Sequence, residues 1–299
     1  MQKSAGYSRI STASEDDGTK LFHLHLVSDA TGETTHAVAR ACLAQFERVK
    51  VVEHLWTMVR HAEHVTEVVR GLEEHPGAVV FTLVNPRIRQ RLMQTCKRLK
   101  LPCISVLDPV IQGLAGYFNA KAAGLPGRQY ALNAEYFDRI DAMNYAMAHD
   151  DAQSTRDLED ADIVLVGVSR TSKTPTAMYL ANHFGLKTAN VPMVPNVALP
   201  PELFSVKTAF VVGLTVAPDR LVQIRRNRLL MLKQDAETDY VDMEQVKNEL
   251  LEARRLFAQQ RWPVIDVTRR SIEETAAAIY RLYARQLEKA EHAERDAAH

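Results

Sequence analysis

The stretch Ala161-Asp-Ile-Val-Leu-Val-Gly-Val-Ser-Arg-Thr-Ser-Lys-Thr-Pro-Thr-Ala-Met-Tyr-Leu-Ala181 decides the fold. Its apolar run Ile163 to Val166 has the length and β-branched content of a buried parallel strand, Gly167 predicts a sharp turn out of it, and a helix follows. Gly167, Val168, Ser169, Arg170, Thr171, Ser172, Lys173 and Thr174 spell G-x-x-x-x-S-K-T, one residue away from the phosphate-loop pattern G-x-x-x-x-G-K-[ST]. In such a loop, backbone N–H groups and a helix N-terminus face the phosphates of a nucleotide. Lys173 reaches the outer phosphates and the Thr174 hydroxyl ligates Mg²⁺. Ser172 is the departure, because glycine at that point accepts backbone conformations that cost other residues free energy. An ordinary strand-to-helix turn carrying a lysine would produce the same letters without a nucleotide.

Working outward, strands keep alternating with helices. Leu21 to Val27 reads as a strand, Ala37 to Phe46 as a helix, Val49 to Trp56 as a strand, His61 to Leu72 as a helix, Ala78 to Val84 as a strand, Pro86 to Leu99 as a helix and Cys103 to Leu107 as a strand. Helical segments follow at Asp108 to Tyr117 and Ala134 to His149. Beyond the phosphate loop, strands are expected at Lys187 to Val191, Thr208 to Leu214 and Val264 to Val267, with helices at Pro218 to Leu232, Val241 to Gln260 and Ser271 to Leu287. This alternation predicts an α/β protein of two parallel-sheet halves, the C-terminal one a P-loop kinase-like domain. The expected division is a disordered leader over 1–20, an N-terminal α/β domain over 21–150, a nucleotide-binding domain over 151–290 and a frayed tail over 291–299, with the polar run Asp150 to Asp160 as linker.

A chain of 299 residues can bury two medium cores. Its 37 basic and 37 acidic residues cancel, so composition gives no electrostatic case for nucleic acid or an anionic membrane. No apolar run reaches membrane-spanning length. Cys42, Cys96 and Cys103 are isolated, which predicts reduced thiols and a cytoplasmic location. The histidines His25, His36, His54, His61 and His64 show no metal-ligand spacing, so zinc is not expected.

Several residues in addition to the loop are candidates for chemistry. Arg225 and Arg228 lie three apart on a basic helix and would share a face able to clamp a polyphosphate; a solvated basic face is the alternative. Asp29 follows a strand and precedes Thr31, Gly32 and Thr34 at a helix start, which makes a second anion site or merely a turn and helix cap. Asp150 and Asp151 are adjacent carboxylates suited to metal or general-base work, or to a solvated linker. Asp266 ends a short strand where it would meet a metal or nucleotide, whereas Ser271 with Glu274 reads as a capping box.

These residues carry a resemblance to the pyruvate, phosphate dikinase and phosphoenolpyruvate synthase regulatory proteins, bifunctional serine/threonine kinases and phosphorylases. It runs from about Phe22 to Leu287. It is strongest at Val27-Ser-Asp-Ala-Thr-Gly-Glu-Thr34, Gly127-Arg-Gln-Tyr-Ala-Leu-Asn133, Tyr136-Phe-Asp-Arg-Ile-Asp-Ala142, His149-Asp-Asp151, the phosphate loop with its serine, Gly213-Leu-Thr215, Ile224-Arg225 with Arg228, and Ser271-Ile-Glu-Glu-Thr-Ala276. The family usually has glycine after the paired aspartates, where this chain has Ala152. The Tyr130 form of the central motif resembles the branch that acts on phosphoenolpyruvate synthase. The resemblance implies ADP as donor for phosphorylating and inactivating a threonine of that target. It also implies inorganic phosphate as acceptor for removing the group as pyrophosphate. Mg²⁺ and a homodimer are further implications. On this reading Lys173, Arg225 and Arg228 meet phosphate charge, and Asp29 ahead of Asp151 is the expected general base. The Ser28 to Thr34 segment is expected to face the phosphate loop. An ATP-dependent small-molecule kinase and a non-catalytic nucleotide sensor are the alternatives.

Overall fold

The computed structural model describes residues 7–9, 21–128, 134–152, 158–232 and 239–297. The chain divides into two compact units, Met1–Ala131 and Leu132–His299. Both are α/β, as the alternation predicts.

The N-terminal unit runs β1 (Tyr7–Arg9), β2 (Leu21–Val27), α1 (Glu33–Leu43), β3 (Lys50–Trp56), α2 (Ala62–Glu74), β4 (Ala78–Phe81), α3 (Pro86–Leu99), β5 (Cys103–Ser105) and α4 (Asp108–Phe118). Its sheet has the order β1-β3-β2-β4-β5, with β2 to β5 parallel and β1 antiparallel on β3. Strand β1 lies within the stretch expected to be a disordered leader. Helix α3 starts where expected because Asn85 caps it, accepting from the N–H groups of Arg87 and Ile88, with Pro86 in the first turn. Helix α1 starts at Glu33, four residues before the expected Ala37. Its N-cap is Gly32 at φ 86°, which offers no side-chain cap to read from the sequence.

The C-terminal unit runs α5 (Ala134–Ala148), β6 (Ile163–Val168), α6 (Lys173–Phe184), β7 (Thr188–Met193), α7 (Glu202–Ser205), β8 (Phe210–Thr215), α8 (Pro218–Met231), α9 (Met243–Gln259), β9 (Val264–Asp266) and α10 (Ile272–Ala297). Its sheet is parallel with the order β7-β6-β8-β9. Every residue of β6 is buried: Val164, Val166 and Val168 pack on one face with Val246, Leu250 and Phe257 of α9, while Ile163 and Leu165 pack on the other with Leu180 of α6 and Ile279 of α10. Each such side chain contributes about 1.5–3 kcal/mol by leaving water, so this strand anchors the unit. Strand β7 runs past the expected end at Val191 and through Pro192. The ring fits there because β7 is the sheet edge.

The unit boundary falls at Ala131, not in the polar run after Asp150. The reason is α5, whose Ala142 and Ala146 are buried against Ala181 of α6. Within the expected linker, one-turn helices form at Asp150–Ala152 and Leu158–Asp160, and Leu158 is buried. The Ser271 and Glu274 capping box forms reciprocally at 3.1 and 2.9 Å, and α10 continues to Ala297 through the segment expected to fray. The Gln129 to Asn133 part of the central motif, Tyr130 included, lies outside the described residues.

Candidate functional site

In each unit the chain leaves its first parallel strand, pairs the next strand on one side, then crosses to the other side. That reversal lies at the C-terminal ends of the two central strands, the place where α/β sheets bind ligands. In the C-terminal unit that place follows β6 and β8.

The segment Gly167 to Thr174 folds as the end of β6, a tight turn and the first residues of α6, the strand-turn-helix order its letters predict. Gly167 does not make the turn, because β6 continues through Val168. Its need for glycine is close approach: a Cβ there would lie 2.7 Å from the Leu214 carbonyl oxygen and 3.0 Å from Thr171 Oγ1. The turn is made by Ser169 to Ser172, with Arg170 at φ 72° and Ser172 at φ 62°. Ser172 therefore holds the left-handed conformation that glycine usually takes at this point, a strain of the kind stored at functional sites. It is the N-cap of α6 and makes no side-chain cap bond, which leaves the first amides of that helix to an anion. Thr171 closes the turn by donating its hydroxyl to the Val168 carbonyl at 2.9 Å.

Lys173 is buried, and its Nζ donates to the same Val168 carbonyl at 3.0 Å. Burial pulls its pKa down to about 8, against the attraction of Asp151 and Asp150, with Arg225 and Arg170 adding to the depression. A desolvated ammonium with one neutral partner is poised to take an anionic one. The Thr174 hydroxyl donates to Asp150 Oδ1 at 2.8 Å. Asn190, on β7 and buried, donates through Nδ2 to Asp150 Oδ1, to Thr174 Oγ1 at 3.1 Å and to Asp151 Oδ1 at 3.4 Å. Asp151 sits at φ 52° inside the Asp150–Ala152 turn, which forms with Ala152 in place of the family's glycine. Asp150, Asp151 and Thr174 are thus brought together beside Lys173.

The expected arginine clamp is not what the structure builds. Arg225 is 1 % exposed, and its guanidinium grips Glu249 of α9 at both carboxylate oxygens, Nη1 at 2.9 Å and Nη2 at 2.6 Å. It also donates to the carbonyls of Tyr240 at 3.0 Å and Ser169 at 3.4 Å, and lies 4.4 Å over the Tyr240 ring. The Tyr240 hydroxyl in turn pairs with Ser169 Oγ at 3.2 Å. Arg225 therefore braces the loop from behind, whereas Arg228 is exposed, and the two share no site. The signal was in the sequence: Leu221, Arg225 and Leu229 recur every four residues, so Arg225 stands in the apolar stripe of α8. Asp266 is exposed and accepts from the amide and hydroxyl of Thr268, whose Oγ1 accepts from Ala217 N at 2.8 Å. That is turn chemistry.

In the N-terminal unit the corresponding place follows β2 and β4. Asp29 is 4 % exposed, with Oδ2 accepting from Val84 N at 2.7 Å. Burial raises its pKa, opposed by that amide bond and by Arg60, whose Nε donates to the Asp29 carbonyl at 2.7 Å. Ser28 Oγ accepts from Ala30 N at 3.1 Å and from Thr82 Oγ1 at 3.0 Å, and Thr82 pairs with Thr35 at 2.8 Å. Asp29, Gly32, Thr34, Thr82, Leu125 and Arg128 line a cavity of about 120 Å³ at the N-terminus of α1. The turn-and-cap alternative accounts for Ser28 but leaves this cavity with an acid in its wall.

Sequence reasoning missed Asn190, Thr82, Tyr240 and Glu249. Asn190 carried a signal, a lone amide flanked by Ala189 and Val191 in the strand Thr188-Ala-Asn-Val-Pro-Met193. Among the described residues no helix is long and apolar enough to cross a membrane.

The family model described as Kinase/pyrophosphorylase matches residues 24–280. A protein of Paramagnetospirillum magneticum named "Putative pyruvate, phosphate dikinase regulatory protein" is 56 % identical over 272 residues, 91 % of this chain and 87 % of its own length. Proteins of the same name from Rhizorhabdus wittichii and Caulobacter vibrioides are 55 % and 52 % identical, each over 87 % of this chain and over 94 % and 82 % of their own lengths. With the strand-turn-helix of its letters in place and matches of this extent, the chain belongs to the kinase/pyrophosphorylase family.

Proposed function

We propose that this chain switches another enzyme off and on by moving a phosphoryl group to and from a threonine, with ADP as donor in one direction and inorganic phosphate as acceptor in the other. The single observation that carries the reading is the phosphate loop with Lys173 buried against its own carbonyl, an ammonium held where a donor's terminal phosphate would displace that neutral partner. In the forward direction the β-phosphoryl group of ADP passes to the threonine oxygen and AMP leaves. In reverse, a phosphate oxygen attacks the phosphothreonine phosphorus, pyrophosphate leaves and the threonine is regenerated. Lys173 and the first amides of α6 offset the charge on the transferred group. Arg225 holds the loop in shape, and Arg228, free at the surface, suits contact with the outgoing nucleotide or the target. Thr174 would hold a Mg²⁺ ion, which screens phosphate charge when bound.

For the proton, Asp29 and Asp151 remain the candidates. Burial raises the pKa of Asp29, which makes its carboxylate a stronger base, and Asp151 lies beside Lys173. The target is taken to be pyruvate, phosphate dikinase, for which the relatives are named, in preference to the phosphoenolpyruvate synthase suggested by Tyr130. A homodimer and a cytoplasmic location remain part of this reading.

The experiment incubates the full chain with each purified target and either ADP or ATP, and locates new phosphate by mass spectrometry. Threonine phosphorylation of the dikinase with ADP is expected; transfer only to the synthase, or only from ATP, overturns the corresponding element. Lys173→Ala is expected to lose the forward reaction by about 10²–10³-fold. Undiminished phosphorolysis in that variant would show that the two directions do not share the loop.

A further inference from the structure

Phosphate-loop enzymes take one cation ligand from the loop hydroxyl and another from a carboxylate at the end of a neighbouring strand. Here the neighbouring strand β8 ends Gly213-Leu-Thr215 with no carboxylate, and Thr215 Oγ1 accepts from Arg254 Nε at 3.2 Å. The next strand ends in Asp266, which is occupied by Thr268. The carboxylates that do touch the loop come from the opposite side, from the turn ahead of β6.

Three oxygens, Asp150 Oδ1, Asp151 Oδ1 and Thr174 Oγ1, converge on the single Nδ2 group of Asn190, the longest contact being 3.4 Å. The other end of that amide, Oδ1, is buried without a partner. An unpaired buried carbonyl costs about 1–3 kcal/mol, and a cost of that size calls for a reason. The reason is geometric: turning the amide over to seek a donor for Oδ1 would take Nδ2 away from all three oxygens, so the amide is held with Nδ2 toward the cluster. Asn190 is locked in place, being 1 % exposed and donating its own backbone N–H to the His149 carbonyl at 3.0 Å. Asp151 and Thr174 are exposed, so the cluster opens to solvent on one side. Hard oxygen donors, two carboxylates and a hydroxyl, with open positions for water and phosphate oxygens, are the set that Mg²⁺ takes.

We infer that Asp150, Asp151 and Thr174 form the divalent-cation site of the phosphate loop, with Asn190 as the positioning residue that gathers them. The inference rests on the nucleotide reading above, assigns the cation ligands of that site and, by making Asp151 one of them, takes it away from the proton. When bound, the ion supplies charge screening at the donor's phosphates; the residues supply its position.

The test uses Mn²⁺ as a probe for Mg²⁺, titrated into the full chain with and without ADP and followed by electron paramagnetic resonance, together with ADP binding in the presence of a chelator. Asp150→Asn and the more exposed Asp151→Asn are each expected to weaken Mn²⁺ binding by about tenfold or more while ADP binding without metal is not weakened. Asn190→Ala is expected to weaken Mn²⁺ binding and Asn190→Asp to tighten it, opposite signs that a packing role would not give. Mn²⁺ affinity within about twofold of the parent in both aspartate variants, loss being at least tenfold if they are ligands, would overturn the site. Failure of the parent to bind ADP would instead sink the nucleotide reading, and the titration without ADP would still decide the cation site.

Discussion

In the N-terminal unit the loop after β2 turns a carboxyl inward, Asp29 onto the amide of Val84. In the C-terminal unit the loop after β6 turns an ammonium inward, Lys173 onto the carbonyl of Val168. Both loops stand at the reversal of strand order in their own sheet, and both lead into a helix whose N-cap is left-handed, Gly32 and Ser172. The shared geometry is what a parallel sheet offers at its switch point; the charge turned inward is what each unit adds. The support behind each loop differs as well. Neutral hydroxyls, Ser28, Thr82 and Thr35, tie the first, while a buried ion pair, Arg225 with Glu249, ties the second.

That difference in support predicts the largest effect. Glu249→Ala would leave Arg225 charged and buried without its partner, which costs about 3–5 kcal/mol. Denaturant unfolding read by hydrogen exchange should show the loss in the C-terminal unit alone, with protection of β2 and β4 unchanged. Thr82→Val is the matching break in the N-terminal unit. It removes neutral hydrogen bonds to Ser28 and Thr35 and should cost about 1–3 kcal/mol, confined to that unit. Equal losses in the two variants would mean that the ion pair is no stronger a brace than the hydroxyl chain.

The two braces also mark how far the sequence could be read. Strand-loop-helix order, the start of α3 at Pro86 and the Ser271 capping box follow from local rules, because the chemistry and its partner lie within four residues. Arg225 and Arg228 were paired by helical spacing, which tells which residues share a face but not what covers that face. The partner, Glu249, lies on another helix. Asn190 was passed over for the same reason: its three acceptors come from a turn and a helix far away in the chain. The boundary was misplaced because a polar run, Asp150 to Asp160, looks like a linker until α5 is seen packing its alanines on α6.

The units should also part company in acid. On β2 and β3 of the N-terminal unit, His25 and His54 stack with ring centroids 4.5 Å apart; His75 stacks on His54 and His23 lies tilted against it, each at 5.1 Å. Burial first, then the neighbouring imidazoles, lower the pKa of His54 from 6.5 to about 4; burial also lowers that of His25. Because the folded unit resists protons that the unfolded chain accepts at 6.5, stability is full above that pH and falls as pH drops toward about 4. The expected loss is about 1 kcal/mol over the first unit or so of acidification below 6.5. It should appear as earlier exchange of β2 and β3 amides and be reduced in His54→Gln. A pH-independent midpoint across that window would remove the histidine stack from the comparison.

The smallest effect lies at the two left-handed caps. Gly32 is close-packed, since a Cβ there would meet Leu55 Cδ1 at 3.0 Å and Thr57 Cγ2 at 3.2 Å, so the N-terminal unit needs glycine for space as well as for φ. Ser172 holds φ 62° with its side chain half-buried, so the C-terminal unit accepts the backbone strain and has room for the hydroxymethyl group. Ser172→Gly would relieve about 1–2 kcal/mol of left-handed strain and return about 0.5–1 kcal/mol as extra entropy in the unfolded chain. The net expectation is a gain of about 0–1.5 kcal/mol in thermal unfolding, with nucleotide binding kept, since glycine is what phosphate loops usually carry. A loss of stability would mean that the serine holds the loop through its side chain, and the two caps would then differ in kind and not only in packing.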